Sequence, residues 1–355
     1  FYLFFMFLVN KHYSISCMPI CEKCKENPAA ARHSFSNIAM CKQCFILNFE
    51  QEVHEYIQQT QIIKSNSEVV VGVSGGKDSS VLLTVLYNII NNYKSCYENT
   101  KLFMLAIDEG IIGYRAESLD VVHSLQKKFN LPLQILSFKD RYNRTLDELV
   151  TTLHQKPENQ QKELKQEIDI EEPRQTALAC SYCGILRRQS LSAGAQQISK
   201  TALVATGHNA DDQAETVLLN LLRGDFSKLK RCVDPITDLG VGNPKIKPFS
   251  HQSQKDIVLY AHFAAVQYFS TECPYAVTAQ RGVARRYIQK MQRVERQCAL
   301  NIQKSVGCFT RGVNQVEIKE CPECGAPLSG TQCQSCMIKH AANGQQLKMV
   351  LKRGQ

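Results

Sequence analysis

The stretch "VVVGVSGGKDSSVLL", from Val69 to Leu83, admits few folds. Its β-branched run reads as a buried strand, and after two glycines, a lysine and an aspartate a second apolar run begins a helix. A strand that turns at once into a helix opens a βαβ unit, which commits the chain to a parallel sheet with helices on both faces. The alternation continues with a helix from about Asp78 to Tyr93, "LFMLAI", a helix from Arg115 to Phe129, "LQILSF" and later "ALVAT". With 355 residues, 44% of them hydrophobic, the chain can build one large α/β core and one or two small modules.

The turn itself, Ser74, Gly75, Gly76, Lys77, Asp78 and Ser79, has the chemistry of an anion cradle. Glycines open backbone conformations closed to other residues, and the freed N–H groups at a helix start favour phosphate. The lysine, the serine hydroxyls and an aspartate placed to share a magnesium with phosphates add to this. It is not a Walker A loop, because Asp78 stands where that motif has Ser or Thr after its lysine.

A second strand-to-helix junction, "ATGHNADDQAETVLLNLL", carries Gly207, His208, Asn209, Asp211, Asp212 and Glu215. His208 and Asn209 have a plain reading as helix caps, and carboxylates in a first turn are favoured by the dipole. Two such loops on one parallel sheet nevertheless meet over a shared crevice, where a nucleotide binds.

Sixteen cysteines, many two residues apart, point to metal in a reducing compartment, hence to the cytoplasm. Cys21, Cys24, Cys41 and Cys44 form C-x2-C-x16-C-x2-C, and Cys321, Cys324, Cys333 and Cys336 form a second set with eight residues between its pairs. Four thiolates close a structural zinc site, and each zinc would contribute on the order of 10 kcal/mol to a module too small to fold alone. In "CSYCGILRR", Cys180 and Cys183 lack a second pair nearby and precede a helix expected from about Gly184. They read as a redox dithiol, half a zinc site or part of an iron-sulfur cluster. Cys273, in "FSTECPYA", is the best third ligand, with Cys232 and Cys308 as rivals.

Residues 1–17 read as a translation or gene-model extension, since the chain opens on Phe1 and Met18 stands ahead of the first cysteine pair. An N-terminal zinc module is expected over 18–49 and a catalytic domain over 50–250, the latter with a polar insertion at 154–175. A helical extension follows over 251–315 and a C-terminal zinc module over 316–345. Lys and Arg outnumber Asp and Glu by 42 to 33, a net +9 that suits a polyanion without requiring one. "VARRYIQKMQRVERQ" in the extension is either an RNA face or a solvated one.

"SGGKDS", "DEGIIGYR", "CSYCGILRRQ", "GHNADDQAETVLLNLLRGD", "FSTECPYA" and the two cysteine modules together resemble the two-zinc-finger tRNA 2-thiolation family of pyrophosphatase-loop (PP-loop) ATPases, from Met18 to about Lys339. The resemblance implies ATP binding by Ser74, Gly75, Gly76, Lys77, Asp78, Ser79, Asp108, Gly207, His208, Asp211 and Asp212, with Mg2+. It implies a 4Fe-4S cluster on Cys180, Cys183 and Cys273, zinc in both modules, and catalytic parts for Arg187 and Asp211. The implied reaction adenylates the wobble uridine of cytoplasmic tRNA and replaces its C2 oxygen by sulfur. An iron left open by three thiolates would take an exogenous ligand such as hydrosulfide. A thiocarboxylated ubiquitin-related modifier would donate the sulfur, and the partner would be cytoplasmic tRNA 2-thiolation protein 2 or a second copy of the chain. Arg223, Lys228, Lys230 and Arg231 would touch the tRNA phosphates near its anticodon loop. Two rival readings keep part of this: a PP-loop ligase that attaches an amine, and a non-catalytic zinc-dependent RNA-binding protein.

Overall fold

In the computed structural model of the protein the described residues are 19–154, 174–271, 273–275, 281–310, 318–328, 330 and 332–343. The expected extension over 1–17, and the polar insertion save its two ends, lie outside them.

The first module is a short hairpin, β1 (Ala31–Arg32) against β2 (Ala39–Met40), followed by the helix Lys42–Thr60. The central sheet has six strands: β3 (Glu68–Gly72), β4 (Lys101–Asp108), β5 (Leu133–Ser137), β6 (Leu203–Ala205), β7 (Ile236–Thr237) and β8 (Lys245–Ile246). Their order is β5-β4-β3-β6-β8-β7. The first five in that order run parallel, as the sequence pattern predicts, whereas β7 returns antiparallel on β8 at the edge. A two-residue strand carries no periodicity that would reveal its direction.

Strand side chains alternate between faces, and β3 shows how both are covered. Val69 and Val71 join a core with Phe49, Leu82, Val122 and Tyr260, while Val70 joins another with Leu105, Leu149, Leu186 and Ala195. The first core is closed by the helices Lys42–Thr60, Lys77–Asn92, Arg115–Phe129 and Gln254–Phe263. The second lies under Leu146–His154 and the long helix Arg174–Ile198.

Both cysteine modules dock on this frame, on opposite cores. In the first, Cys21, Met40, Cys41 and Phe45 belong to the first core, and Phe45 meets Phe263 edge to face at 5.4 Å. The last comprises the hairpin β9 (Lys319–Glu320) and β10 (Pro327–Leu328) and the helix Gln334–Ala342. Its Ile338 and Ala342 are buried in the second core with Leu149, Val150, Ala179 and Tyr182.

Two helix expectations need correction. The helix expected from about Gly184 starts at Arg174, so Cys180 and Cys183 lie within it. "RQTALAC" holds no breaker, Pro173 precedes it in sequence, and the helix tolerates its two glycines, Gly184 and Gly194, at about 1 kcal/mol each. The apolar run from Gln254 to Phe269 is helical only to Phe263, because Ala265 takes a left-handed φ of 49° and ends the run. Beyond it, Phe269 forms a parallel bridge with Gly76, and the extension resumes as Arg281–Met291 and Cys298–Phe309.

Candidate active site

The chain passes from β3 outward to β4 and β5, then returns to β6 on the other side of β3, so the switch in strand order lies between β3 and β6. Ligands of such sheets bind in the crevice outside the carboxyl ends of the strands at that point. The loop after β3 is Ser74–Ser79 and the loop after β6 begins at Thr206.

The first loop is held by its own serines. Ser79 Oγ accepts from the Ser74 N–H at 3.1 Å and donates to the Gly76 carbonyl at 3.0 Å, while the Gly76 N–H points to Ser74 Oγ at 3.3 Å. Gly75 has a φ of 79°, and a Cβ there would stand 2.2 Å from the Ser118 carbonyl oxygen, so the position excludes every other residue. The Phe269 N–H donates to the Gly75 carbonyl at 2.8 Å. Lys77 opens the helix, and its Nζ lies 3.6 Å from Asp78 Oδ1. That oxygen is shut off from solvent with no hydrogen-bond donor, and burial holds the Asp78 carboxyl above its usual range, the nearby Asp212 adding to the effect. A carboxylate oxygen with no hydrogen-bond donor, met only by the Lys77 charge, leaves a place for a divalent cation beside a phosphate cradle.

The second loop packs directly on the first: a Cβ on Gly207 would meet the Asp78 backbone at 3.0 Å. His208 Nδ1 pairs with Thr206 Oγ1 at 2.9 Å. Asn209 caps the helix Ala210–Leu222, in a capping box with Asp212. Asp211 turns away from the crevice: Oδ2 accepts from the Gln254 N–H at 2.8 Å and Oδ1 from Gln292 at 2.6 Å. Glu215, buried at 1% exposure, holds Arg281 at 2.7 Å and Arg285 at 2.8 Å, seating the basic helix against the loop. Asp108, the last residue of β4, accepts the Gly110 N–H at 2.9 Å.

Cys180 and Cys183 stand one turn apart on Arg174–Ile198, and Cys273 packs on the same core near enough for its charge to act on both, although the three sulfurs do not all lie within 4.8 Å of one another as those of the four-cysteine sets do. The Cys180 thiol donates to the Tyr275 carbonyl at 2.9 Å, and the Tyr275 hydroxyl donates to Asp147 at 2.7 Å. Burial pushes all three thiols up, Cys183 to about 11, while Arg187 pulls each the other way. Neutral thiols gathered beside a cation become good ligands once a metal supplies positive charge. Of the rivals, Cys232 is engaged by Asn220 at 3.1 Å and Cys308 is exposed on the helix Cys298–Phe309.

Arg187, four residues past Cys183, lies with Nε 2.6 Å from Glu109 Oε1. Glu109 and Arg115 also stand in this cluster, and neither is among the site residues expected from the sequence. The signal was present in "DEGIIGYR", an acidic pair at a strand end with an arginine after it, but only the first acid was taken up.

Each four-cysteine set gathers its sulfurs within 4.8 Å of one another. Cys24 and Cys41 are 3.9 Å apart, Cys321 and Cys336 3.8 Å, and Cys324 and Cys333 3.6 Å. Tetrahedral Zn–S bonds of about 2.3 Å put sulfurs about 3.8 Å apart, so both sets have room for such an ion. Arg223 caps the helix Ala210–Leu222, Lys228 pairs with Asp225, and Lys230 and Arg231 ride the short helix Leu229–Val233. That turn is clamped by Lys247, whose Nζ donates to the carbonyls of Arg231, Cys232 and Asp234 at 2.8 to 3.0 Å.

Comparison with known proteins agrees with this geometry. A PP-loop domain family matches residues 46–155. A U34-tRNA thiolase from Methanococcus maripaludis, solved with its 4Fe-4S cluster, superposes with a TM-score of 0.68 at 25% identity, covering 90% of this chain and 95% of that one. The Arabidopsis thaliana cytoplasmic tRNA 2-thiolation protein 1 is 40% identical over 316 residues, 88% of this chain and 82% of the relative. The Saccharomyces cerevisiae (strain RM11-1a) protein of the same name is 39% identical over 342 residues, 93% of this chain and 88% of the relative. Identity of this extent, over about nine-tenths of the chain, places the chain in the cytoplasmic tRNA 2-thiolation protein 1 family.

Proposed function

We propose that the chain is an ATP-dependent tRNA sulfurtransferase that adenylates the wobble uridine of cytoplasmic tRNAs and exchanges its C2 oxygen for sulfur, giving 2-thiouridine. The observation that carries this reading is the meeting, at the carboxyl edge of one sheet, of the Ser74–Ser79 phosphate cradle and the thiols of Cys180, Cys183 and Cys273. The uridine C2 oxygen attacks the α-phosphorus of ATP and pyrophosphate leaves. A sulfur nucleophile then adds at C2, and AMP departs with the oxygen.

In this reading the N–H groups of Gly75 and Gly76, the Ser74 and Ser79 hydroxyls and Lys77 hold the phosphates. Asp78 and Asp212 would hold a Mg2+ that neutralises phosphate charge, and Asp108, Gly207 and His208 complete the nucleotide site. A 4Fe-4S cluster on the three cysteines would supply an iron position open to sulfur. Arg187 offers that sulfur a positive charge, because Glu109 fixes the guanidinium beside the thiols. Asp211 acts through its ties to Gln254 and Gln292, which seat the second loop against the extension. The two modules hold structural zinc, since four thiolates leave no open position. Arg223, Lys228, Lys230 and Arg231 take tRNA phosphates, and the target base, already unstacked in the anticodon loop, is presented at little cost. A thiocarboxylated ubiquitin-related modifier supplies sulfur, and cytoplasmic tRNA 2-thiolation protein 2 or a second copy completes the assembly. The relatives' names place them in the cytoplasm, and among the described residues no helix is long and apolar enough to cross a membrane.

The test is anaerobic incubation of the iron-loaded protein with unmodified tRNA, ATP and sulfide, followed by nucleoside mass spectrometry and mapping. ATP-dependent 2-thiouridine at the wobble position is the expected result. AMP release without any sulfur incorporation would instead fit a ligase that delivers another nucleophile.

A further inference from the structure

Glu109 follows the last residue of β4 and is buried at 1% exposure. Its backbone is pinned: its carbonyl accepts the Leu146 N–H at 2.7 Å, and Gly110 turns the chain at a φ of 68° where a Cβ would strike Thr145 at 2.6 Å. Its carboxylate therefore has little choice of place, and it faces two arginines. Oε1 lies 2.6 Å from Arg187 Nε and Oε2 lies 3.3 Å from Arg115 Nε.

The two arginines lead to different ends of the crevice. Arg115, 4% exposed at its side chain, donates from Nη1 to the Ser74 carbonyl at 2.8 Å and to Ser118 Oγ at 2.9 Å. Ser118 in turn presents the carbonyl against which Gly75 is packed. Arg187 stands on the cysteine helix at i+4 from Cys183, on the same helical face. One carboxylate between two guanidiniums leaves a net positive charge, matched to the anions both ends would receive, phosphate on one side and sulfur on the other. A buried carboxylate loses its hydration, a penalty that apolar packing at the same place would not carry, so its value lies in fixing the arginines.

We propose that Glu109 is a positioning residue that ties the sulfur site to the nucleotide loop: Arg115, held on the loop by its own bonds to Ser74 and Ser118, anchors the carboxylate, and the carboxylate holds Arg187 on the cysteine helix. The proposal rests on the thiolation reading above, and it concerns how the two halves of that reaction are kept in step. With Glu109 in place, adenylation and sulfur attack occur in one fixed geometry. Without its charge Arg187 is no longer held, sulfur attack slows, and water takes the place of sulfur at C2 of the adenylated uridine, returning uridine and AMP.

The experiment compares the iron-loaded, full-length protein with its Glu109→Gln variant, measuring AMP release and 2-thiouridine together under anaerobic conditions with sulfide. The expected result is a fall in thiouridine turnover of about 10- to 100-fold, the range seen when a partner that orients a ligand shell is removed. The KM values for ATP and tRNA stay near wild type, and AMP released per thiouridine rises above the wild-type ratio. Iron absorbance and melting temperature serve as controls. If Glu109→Gln loses its iron absorbance, Glu109→Asp, which keeps the charge but shortens the reach, is measured instead and is expected to uncouple in the same way. Adding Glu109→Gln to Arg187→Gln should cost thiouridine turnover nothing beyond Arg187→Gln alone. A variant that stays coupled at the wild-type rate, or a double variant whose losses multiply, overturns the role of Glu109. A wild-type protein that makes no 2-thiouridine overturns the thiolation reading itself.

Discussion

His33 sits between two carboxylates from distant parts of the chain, its Nε2 3.2 Å from Glu52 and 3.5 Å from Asp256, and is 5% exposed. Burial disfavours its charge, but the Glu52 contact and the Asp256 charge outweigh this and raise its pKa above 6.5. A raised folded value means that the ion pair's stability is complete below 6.5 and is lost as pH rises through the folded value. Thermal melts of wild type and His33→Gln from pH 6 to 9 should therefore show a wild-type advantage that shrinks towards high pH. A constant gap would mean that His33 acts through packing alone. Ser34 reinforces the joint, its N–H at 3.2 Å and hydroxyl at 2.9 Å from the same Asp256 carboxylate. None of this was legible in the sequence, because the partners stand at 33, 52 and 256 with no spacing rule to connect them. Ser74–Ser79 was legible for the opposite reason: its chemistry is local, fixed by hydrogen bonds within six residues. Asp211 shows the middle case, an acid recognised by its place in a loop whose hydrogen-bond partners, Gln254 and Gln292, come from distant parts of the chain that no local pattern reveals.

The long helix Arg174–Ile198 decides how the sulfur site is built, since it carries Cys180, Cys183 and Arg187 on one rigid element. Its back is covered by Leu149, Val150 and the last module's helix, where Ile338 is 5% exposed. Ile338→Ala should destabilise that contact by about 2–5 kcal/mol. Hydrogen exchange over residues 179–187 should quicken and iron retention fall, while zinc content and ATP affinity hold, because the nucleotide loop rests on the other core. Unchanged exchange over 179–187 would show that the module does not brace the helix. Helix type was legible here but its start was not. The helix was expected only from about Gly184, after the cysteine pair, because the long-range packing of Ala179 and Tyr182 that favours helix leaves no local mark. The strands β3 and β4 were legible because both faces are largely buried and their apolar runs are continuous, whereas β7 is only two residues long.

At the scale of the whole molecule, the net charge of +9 bears on the proposed reaction through the basic residues proposed to meet tRNA phosphates. Binding of tRNA should weaken linearly in log–log plots as salt rises, and Lys230→Ala should lower that slope by about 1. Lys228→Ala should change it less, since Lys228 is already paired with Asp225. Equal slopes for Lys230→Ala and wild type would move the RNA face elsewhere. The two cysteine modules, drawn from opposite ends of the described chain, grip opposite cores of one sheet. The second grip sets an order of events during synthesis. The ribosome delivers the nucleotide loop, with the partners that shape it, long before Ile338 and Ala342 arrive to cover Ala179 and Tyr182. A growing chain thus carries its cysteine pair on an unbraced helix until the last module has been made and has docked.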